Sequence, residues 1–412
     1  MKILWLCNIM LPKISNSLNL PVNPTGGWLT GLSNDLLEIK GIELTICFPW
    51  NEKINGNIDS LNYYSFDKKH YNEGDFVEII NNVKPDVINI FGTEFKHTLT
   101  MLNAAEITGV LKQTVVTLQG LVSLISKHYY SNLPACIVHS WTIRDILRFD
   151  NIYFAKRSFA KRGKNETLAL KKAVHVMGRT DWDKACSKQI NPKCIYHHCN
   201  ETLRDSFYKD EWNYENCEKH SLFISQCSYP IKGMHLMLEA MKEIVKEYPD
   251  AHLYTTGLDP LNLTLKQKLL QNSYNRYLGK LIKKYKLTNN VSFLGILNES
   301  QMKQRYLSSN VFVSCSSIEN SSNSVGEAML LGLPVVSSDV GGVKNMMIHN
   351  EDGVIYPFDE SYMISYYVKQ IFSDLEMAEK FSKNARIHAR ATHNRQKNVS
   401  TVLNIYKEIA NQ

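Results

Sequence analysis

The chain has 412 residues, 44% of them apolar and 21% charged, with a formal charge of +7. Those values exclude a disordered body and suit two domains of roughly 200 residues each. No apolar run approaches the ~20 residues needed to span a bilayer, and nine cysteines without a C-x-x-C pair argue against a disulfide framework.

The first residues, Met1-Lys2-Ile3-Leu4-Trp5-Leu6-Cys7, give a short apolar run that ends at Asn8 without a small-residue cleavage site. They read as a first strand and not as a signal peptide, so a cytoplasmic chain with reduced thiols is expected. A helix follows at 28–39, then a strand at 42–48, a helix at 76–82 closed by Pro85, and apolar strands at 87–91 and 115–118. Continuous apolar strands alternating with helices indicate a parallel sheet covered on both faces. Residues 174–183 read as a last strand followed by a turn, and 199–219 as a polar linker. Alternation then restarts, with strands at 221–225, 252–256, 291–294, 311–314 and 334–337, a helix at 234–247 and a long helix before Lys286. The fold class expected is α/β, with two doubly wound Rossmann-like domains facing a cleft. Residues 1–205 form the first domain and 206–390 the second, and 391–412 form a C-terminal helix that packs back on the first. Ligands of such sheets bind beyond the carboxyl ends of the strands.

One segment joins several chemical roles. After the apolar run Val311-Phe312-Val313 comes the polar stretch Ser316-Ser317-Ile318-Glu319-Asn320-Ser321-Ser322-Asn323-Ser324, and then a helix through Glu327. The loop opens onto a helix N-terminus, where free backbone N–H groups and the dipole favour a diphosphate. Glu319 at the strand's end and Glu327 in the first helical turn can accept hydrogen bonds from hydroxyls on either side of that diphosphate. A nucleotide sugar has that pattern. Lys232, in Ser225-Gln226-Cys227-Ser228-Tyr229-Pro230-Ile231-Lys232-Gly233, follows a strand and suits phosphate as a point charge. Gly26-Gly27 can bring backbone close to a ligand but is no dinucleotide fingerprint. Arg179 faces either the cleft or the carboxylates of Asp181 and Asp183. Cys194, His197, His198 and Cys199 crowd within six residues and can hardly close a tetrahedron on one metal.

These segments, in this order, resemble the retaining GT-B glycosyltransferases of family 4. The resemblance rests on the Gly26-Gly27 loop, Lys232-Gly233, Glu319-x7-Glu327, Gly332-Leu333-Pro334-Val335-Val336, Gly341-Gly342 and Asp352-Gly353. It implies that Lys232 neutralises the donor diphosphate and that Glu319 sits by the donor sugar. It places Ser321, Ser322, Asn323 and Ser324 near sugar and phosphate, gives Glu327 the ribose hydroxyls, and calls for no metal or other cofactor. Gly26, Gly27, Arg179, Ser225 and Gln226 complete the donor set. Three positions depart from the family pattern. Cys227 stands where many members have an arginine, Gln119-Gly120 where many have a histidine, and Glu319-Asn320-Ser321-Ser322 replaces E-x-F-G. Gln119 can donate a hydrogen bond but cannot move a proton, so His97 is the substitute candidate beside it.

The resemblance implies transfer of a hexose or N-acetylhexosamine to a glycan or lipid-linked acceptor in surface polysaccharide synthesis. An epimerase or hydrolase of nucleotide sugars on the same fold is the alternative enzyme, and a polyanion-binding protein the non-catalytic one. Nine Lys/Arg lie between Arg144 and Lys172, interleaved with aromatic residues. They make residues 141–172 a candidate face for an anionic membrane, at its inner surface, and not for nucleic acid, for which no motif is present.

Overall fold

The computed structural model describes residues 1–21 and 27–412; Gly26 lies outside them. The chain divides into two compact units. Unit 1 comprises Met1–Leu124, Ala160–Arg204 and His393–Gln412, and unit 2 comprises Ile125–Phe159 and Asp205–Thr392.

Unit 1 is built on an eight-stranded sheet of β1 (Lys2–Leu6), β2 (Glu43–Trp50), β3 (Asn55–Ile58), β4 (Leu61–Asp67), β5 (Val87–Phe91), β6 (Thr114–Thr117), β7 (His175–Gly178) and β8 (Ile195–His198). Their order is β3-β4-β2-β1-β5-β6-β7-β8, parallel except for the β3–β4 hairpin. Side chains of a strand alternate between faces, and β1 shows why both faces must be covered. Ile3 and Trp5 join one buried cluster, with Val402 and Tyr406, while Leu4 and Leu6 join a second, with Phe76 and Leu102. The helix Arg395–Ala410 buries Val399, Val402, Tyr406 and Ile409 at helical spacing. Its Tyr406 hydroxyl accepts from the Trp5 indole at 3.1 Å and from Asn89 Nδ2 at 2.6 Å, which satisfies polar groups inside that core.

Unit 2 carries a six-stranded, wholly parallel sheet of β9 (Ser221–Ile224), β10 (His252–Thr255), β11 (Val291–Phe293), β12 (Val311–Ser314), β13 (Val335–Ser338) and β14 (Val354–Tyr356), in the order β11-β10-β9-β12-β13-β14. The order reverses between β9 and β12. Loops leaving adjacent strands in opposite directions open a crevice there. The segments carrying Lys232 and Glu319 follow these two strands.

Several details differ from the sequence expectations. The last strand of unit 1 is β8 and not β7. A helix, Asp181–Ile190, occupies the place expected for a turn, with Thr180 as a capping-box residue. The hairpin β3–β4 was not anticipated. Residues 125–159 cluster with unit 2. Within the expected linker, Trp212 is buried and its indole donates to Ser309 O at 2.7 Å.

Candidate functional site

The two loops at the unit 2 reversal point are fastened to each other by backbone. Gly233 has φ +70°, and a Cβ there would stand 1.8 Å from Cys315 O. Only glycine accepts both that conformation and that approach. Ser317 N donates to Ile231 O at 2.8 Å and Cys315 Sγ to Lys232 O at 3.3 Å. A third loop, after β13, closes on the same segment. Gly342 N donates to Glu319 O at 3.1 Å, and a Cβ on Gly341 (φ +52°) would meet that oxygen at 1.9 Å.

This scaffold sets Lys232 Nζ 2.5 Å from Glu319 Oε1, to which Ser316 Oγ also donates at 2.7 Å. The pair is partly accessible, at 26% for the lysine and 13% for the glutamate side chain. Next comes the helix Asn323–Leu331, capped by Ser322, whose side chain accepts from Val325 N. Ser225 Oγ, from the loop after β9, donates to Ser324 Oγ at 2.9 Å, and Tyr306 OH donates to Ser324 O at 3.3 Å. Ser321, Asn323 and Ser324 remain partly exposed at the helix start, as does Gln226 on the facing loop. The structure therefore brings Ser225, Lys232, Glu319, Ser322 and Ser324 to one end of one sheet. An anion could accept the N–H groups of the first helical turn there, beside one ammonium and two hydroxyls.

Glu327 needs a correction. The helix begins at Asn323, so Glu327 lies in its second turn and the first turn holds no acid. Its side chain is 6% exposed. Cys227 is also buried, its thiol donating to Thr256 O at 2.9 Å, and burial pushes its pKa up to about 11. A neutral thiol stands there and supplies no cation.

The remaining predicted residues belong to unit 1. Arg179 is 6% exposed and pairs with neither Asp181 nor Asp183 through its side chain. Its guanidinium binds Glu201 and reaches the carbonyls of Leu118 and Gln119 at 3.3 and 3.4 Å. Gln119 Nε2 donates to the other Glu201 oxygen at 2.9 Å. Glu201 thus ties both residues together. His97 is in the first turn of the helix Lys96–Ile107 and not on a loop. It is packed against Phe66, Tyr71 and Phe95, with Nε2 2.7 Å from Asn8 Oδ1. Burial lowers its pKa to about 4, so the ring is neutral at pH 7. Gly27 opens the helix Gly27–Leu37.

Sequence reasoning passed over two carboxyls at the same sheet end. Glu94, two residues past Gly92, accepts from Asn8 Nδ2 at 3.3 Å. Burial foremost, then the charge of Glu166, push its pKa up to about 7. Glu166 is fully buried and accepts from Thr93 Oγ1 (2.6 Å), Val122 N (2.9 Å), Ser123 N (2.9 Å) and Ser123 Oγ (2.5 Å). Its position was legible. Gly163, Glu166, Ala169, Leu170 and Ala173 are buried at helical spacing, so Glu166 sits on the inward face of its helix. Cys194 and Cys199 are buried, while His197 and His198 alternate across β8, with His197 Nε2 2.9 Å from His175 Nδ1. Among the described residues no three His, Cys, Asp or Glu side chains are grouped to hold a metal ion.

Comparison with known proteins gives the site a context. Residues 206–388, all within unit 2, match the family model described as Glycosyl transferases group 1. YtcC of Bacillus subtilis (strain 168), provisionally named a glycosyltransferase, is 29% identical over 187 residues, 45% of this chain and 44% of that protein. The chain thus spans about half the length of the curated relatives it matches. Among solved structures, sucrose-phosphate synthase from Thermosynechococcus elongatus aligns over 99% of both chains at 15% identity, with a TM-score of 0.69. Anabaena Alr3699/HepE, solved in complex with UDP and glucose, aligns over 99% of both chains at 14% identity, with a TM-score of 0.70. The fold is the one these proteins share: two Rossmann-like α/β units with parallel sheets.

Proposed function

We propose that the protein is a glycosyltransferase that moves a hexose or N-acetylhexosamine from a nucleotide diphosphate sugar, bound by unit 2, to a glycan or lipid-linked acceptor. The observation that carries this is the Lys232–Glu319 pair, held at 2.5 Å by three clamped loops beside the capped N-terminus of Asn323–Leu331. The family match over that same unit and the UDP and UDP-glucose named with the HepE structures support a nucleotide-sugar donor.

In the reaction the bond between the sugar's anomeric carbon and the diphosphate oxygen breaks, and a bond to the acceptor hydroxyl oxygen forms. The hydroxyl proton passes to the departing phosphate. Charge grows on the diphosphate in the transition state, so groups aimed there accelerate the step. Lys232, the Ser225 and Ser324 hydroxyls and the N–H groups of Asn323 and Ser324 supply that stabilisation without a metal. Glu319, freed from Lys232 as phosphate competes for the ammonium, turns to the sugar hydroxyls, and Glu327 takes those of the ribose. On this reading configuration is retained by attack from the leaving-group face. Unit 1 supplies the acceptor side, with His97 and Gln119 as hydrogen-bonding groups. Surface polysaccharide synthesis at the inner face of a membrane is the setting the reading implies.

The test is a calorimetric titration with UDP, GDP, ADP and their sugars, repeated on Glu327→Ala. Losing hydrogen bonds to a carboxylate should cost about 1.5–3 kcal/mol, or roughly 10- to 150-fold in Kd. Unchanged affinity for every nucleotide would remove Glu327 from the site. Donor incubated without acceptor should break down only slowly; rapid turnover would favour a hydrolase or epimerase instead.

A further inference from the structure

The basic run 144–172 is not one face. Its residues up to Phe159 belong to unit 2 and the rest to unit 1. Several of its cations are already engaged: Arg144 pairs with Asp145 and Asp150, and Lys172 with Glu106. Within unit 2 a different feature stands out. The helix Ile143–Arg148 is inverted in polarity. Asp145, its one fully buried side chain, accepts from Thr142 N at 3.2 Å, from Arg144 Nη1 at 3.0 Å and from Ser273 N at 3.0 Å. Arg276 Nη2 adds a bond to Trp141 O at 2.9 Å. With Asp145 turned inward, the helix presents its apolar residues to solvent: Ile146 is 62% exposed, Leu147 79% and Phe149, just past its end, 65%.

The helix packed against it, Leu265–Leu270, has no buried residue at all. Its Leu265 is 82% exposed, and Leu269 and Leu270 about half. An apolar surface of this size on two contacting helices calls for an occupant. The cations on the same helices say which kind. Arg148, Lys266 and Lys268 are exposed, and none forms an ion pair among the described residues. Lysine is depleted in protein–protein interfaces. Apolar side chains interleaved with cations on short surface helices are instead what an anionic bilayer surface accepts. The apolar groups enter the acyl boundary while the ammonium and guanidinium heads stay at phosphate level. Trp141, Phe149 and Phe154, with ring centroids 4.4–5.7 Å apart, add an aromatic cluster suited to that depth.

We infer that unit 2 docks on an anionic lipid surface through the helices Ile143–Arg148 and Leu265–Leu270, a contact independent of the donor reading. Co-sedimentation of the full chain tests it, with phosphatidylcholine vesicles containing none or about 30% phosphatidylglycerol. The protein should pellet several-fold more with the anionic vesicles. The double variant Leu147→Glu/Leu269→Glu, changed only at exposed positions, should partition about tenfold less or weaker still, with an unaltered unfolding temperature. Indifference to anionic lipid, or a variant that pellets as well as the wild type, would overturn the inference. So would wild-type self-association that the variant abolishes while vesicle binding stays unchanged.

Discussion

Replacing Lys232 by alanine tests the proposed donor site at its centre. In the free protein the ammonium is 2.5 Å from Glu319 Oε1, and both side chains are partly accessible. Removing it leaves the carboxylate with the Ser316 hydroxyl, at 2.7 Å, and with water. Stranding a charge costs about 1–3 kcal/mol, and partial exposure holds it near 1 kcal/mol. For a domain of this class that lowers Tm by roughly 2–4 °C, so the variant should stay folded. The effect on ligand is separate. A charge-assisted bond to phosphate contributes about 1.5–3 kcal/mol, from which the cost of leaving Glu319 must be subtracted. The net of about 0.5–2 kcal/mol means that the Kd for a nucleoside diphosphate should rise about 2- to 30-fold, with little change for the nucleoside alone. Glu319→Gln should do the reverse. It releases the ammonium, so diphosphate affinity should hold or tighten while sugar transfer is lost. Titration calorimetry of both variants reads this contrast. If Lys232→Ala is folded and binds the diphosphate with wild-type affinity, the phosphate role of Lys232 is wrong.

Gly341→Ala should be worse for the fold than the loss of any of these side chains, because its Cβ would stand 1.9 Å from Glu319 O at φ +52°. A cost of at least ~2 kcal/mol and loss of nucleotide binding are expected by denaturant titration and calorimetry; wild-type stability would show that the loop yields freely. Acid should destabilise both units through buried histidines. Burial lowers His97 in unit 1 and His235 in unit 2 to about 4, whereas the unfolded chain protonates near 6.5. A depressed folded-state pKa gives stability that is fully present above about pH 6.5 and lost as pH falls toward 4, by at most about 3 kcal/mol per histidine. Urea midpoints measured from pH 7 to 4.5 should fall, and His97→Gln and His235→Gln should each flatten the slope; an unchanged slope in both refutes the assignment.

Much of the architecture was legible because buried parallel strands are near-continuous apolar runs, as in Val87–Phe91 and Val311–Ser314. The strands that escaped notice lie at a sheet edge or next to it, where that signal fades. The strand β3 reads Asn-Gly-Asn-Ile and β8 reads Ile-Tyr-His-His, half polar because each has only one neighbour. Placing Glu327 in the first turn was an error of a different kind. Ser321, Ser322 and Asn323 can all cap a helix, and Gly326 lies inside it, so sequence alone does not settle the start.

Contact between Lys232 and Glu319 was beyond sequence reasoning for a topological reason. They are 87 residues apart and meet because β9 pairs with β12, although two strands intervene in the chain. The same pairing presses Gly233 onto Cys315 O and so makes the glycine obligatory. The Lys232-Gly233 dipeptide and the glutamate loop, separate motifs in the sequence, are therefore one device in the structure: the glycine permits the approach that the lysine and carboxylate then use. It also bears on the proposed donor site, which has no cation at Cys227. A buried thiol, held in place by Thr256 O, cannot contribute charge, so on the proposed reading the diphosphate draws its neutralisation from an ammonium that starts out paired. A donor that opens the Lys232–Glu319 bridge delivers a carboxylate to the sugar in the same movement. On that reading phosphate binding and sugar recognition are coupled through one 2.5 Å contact.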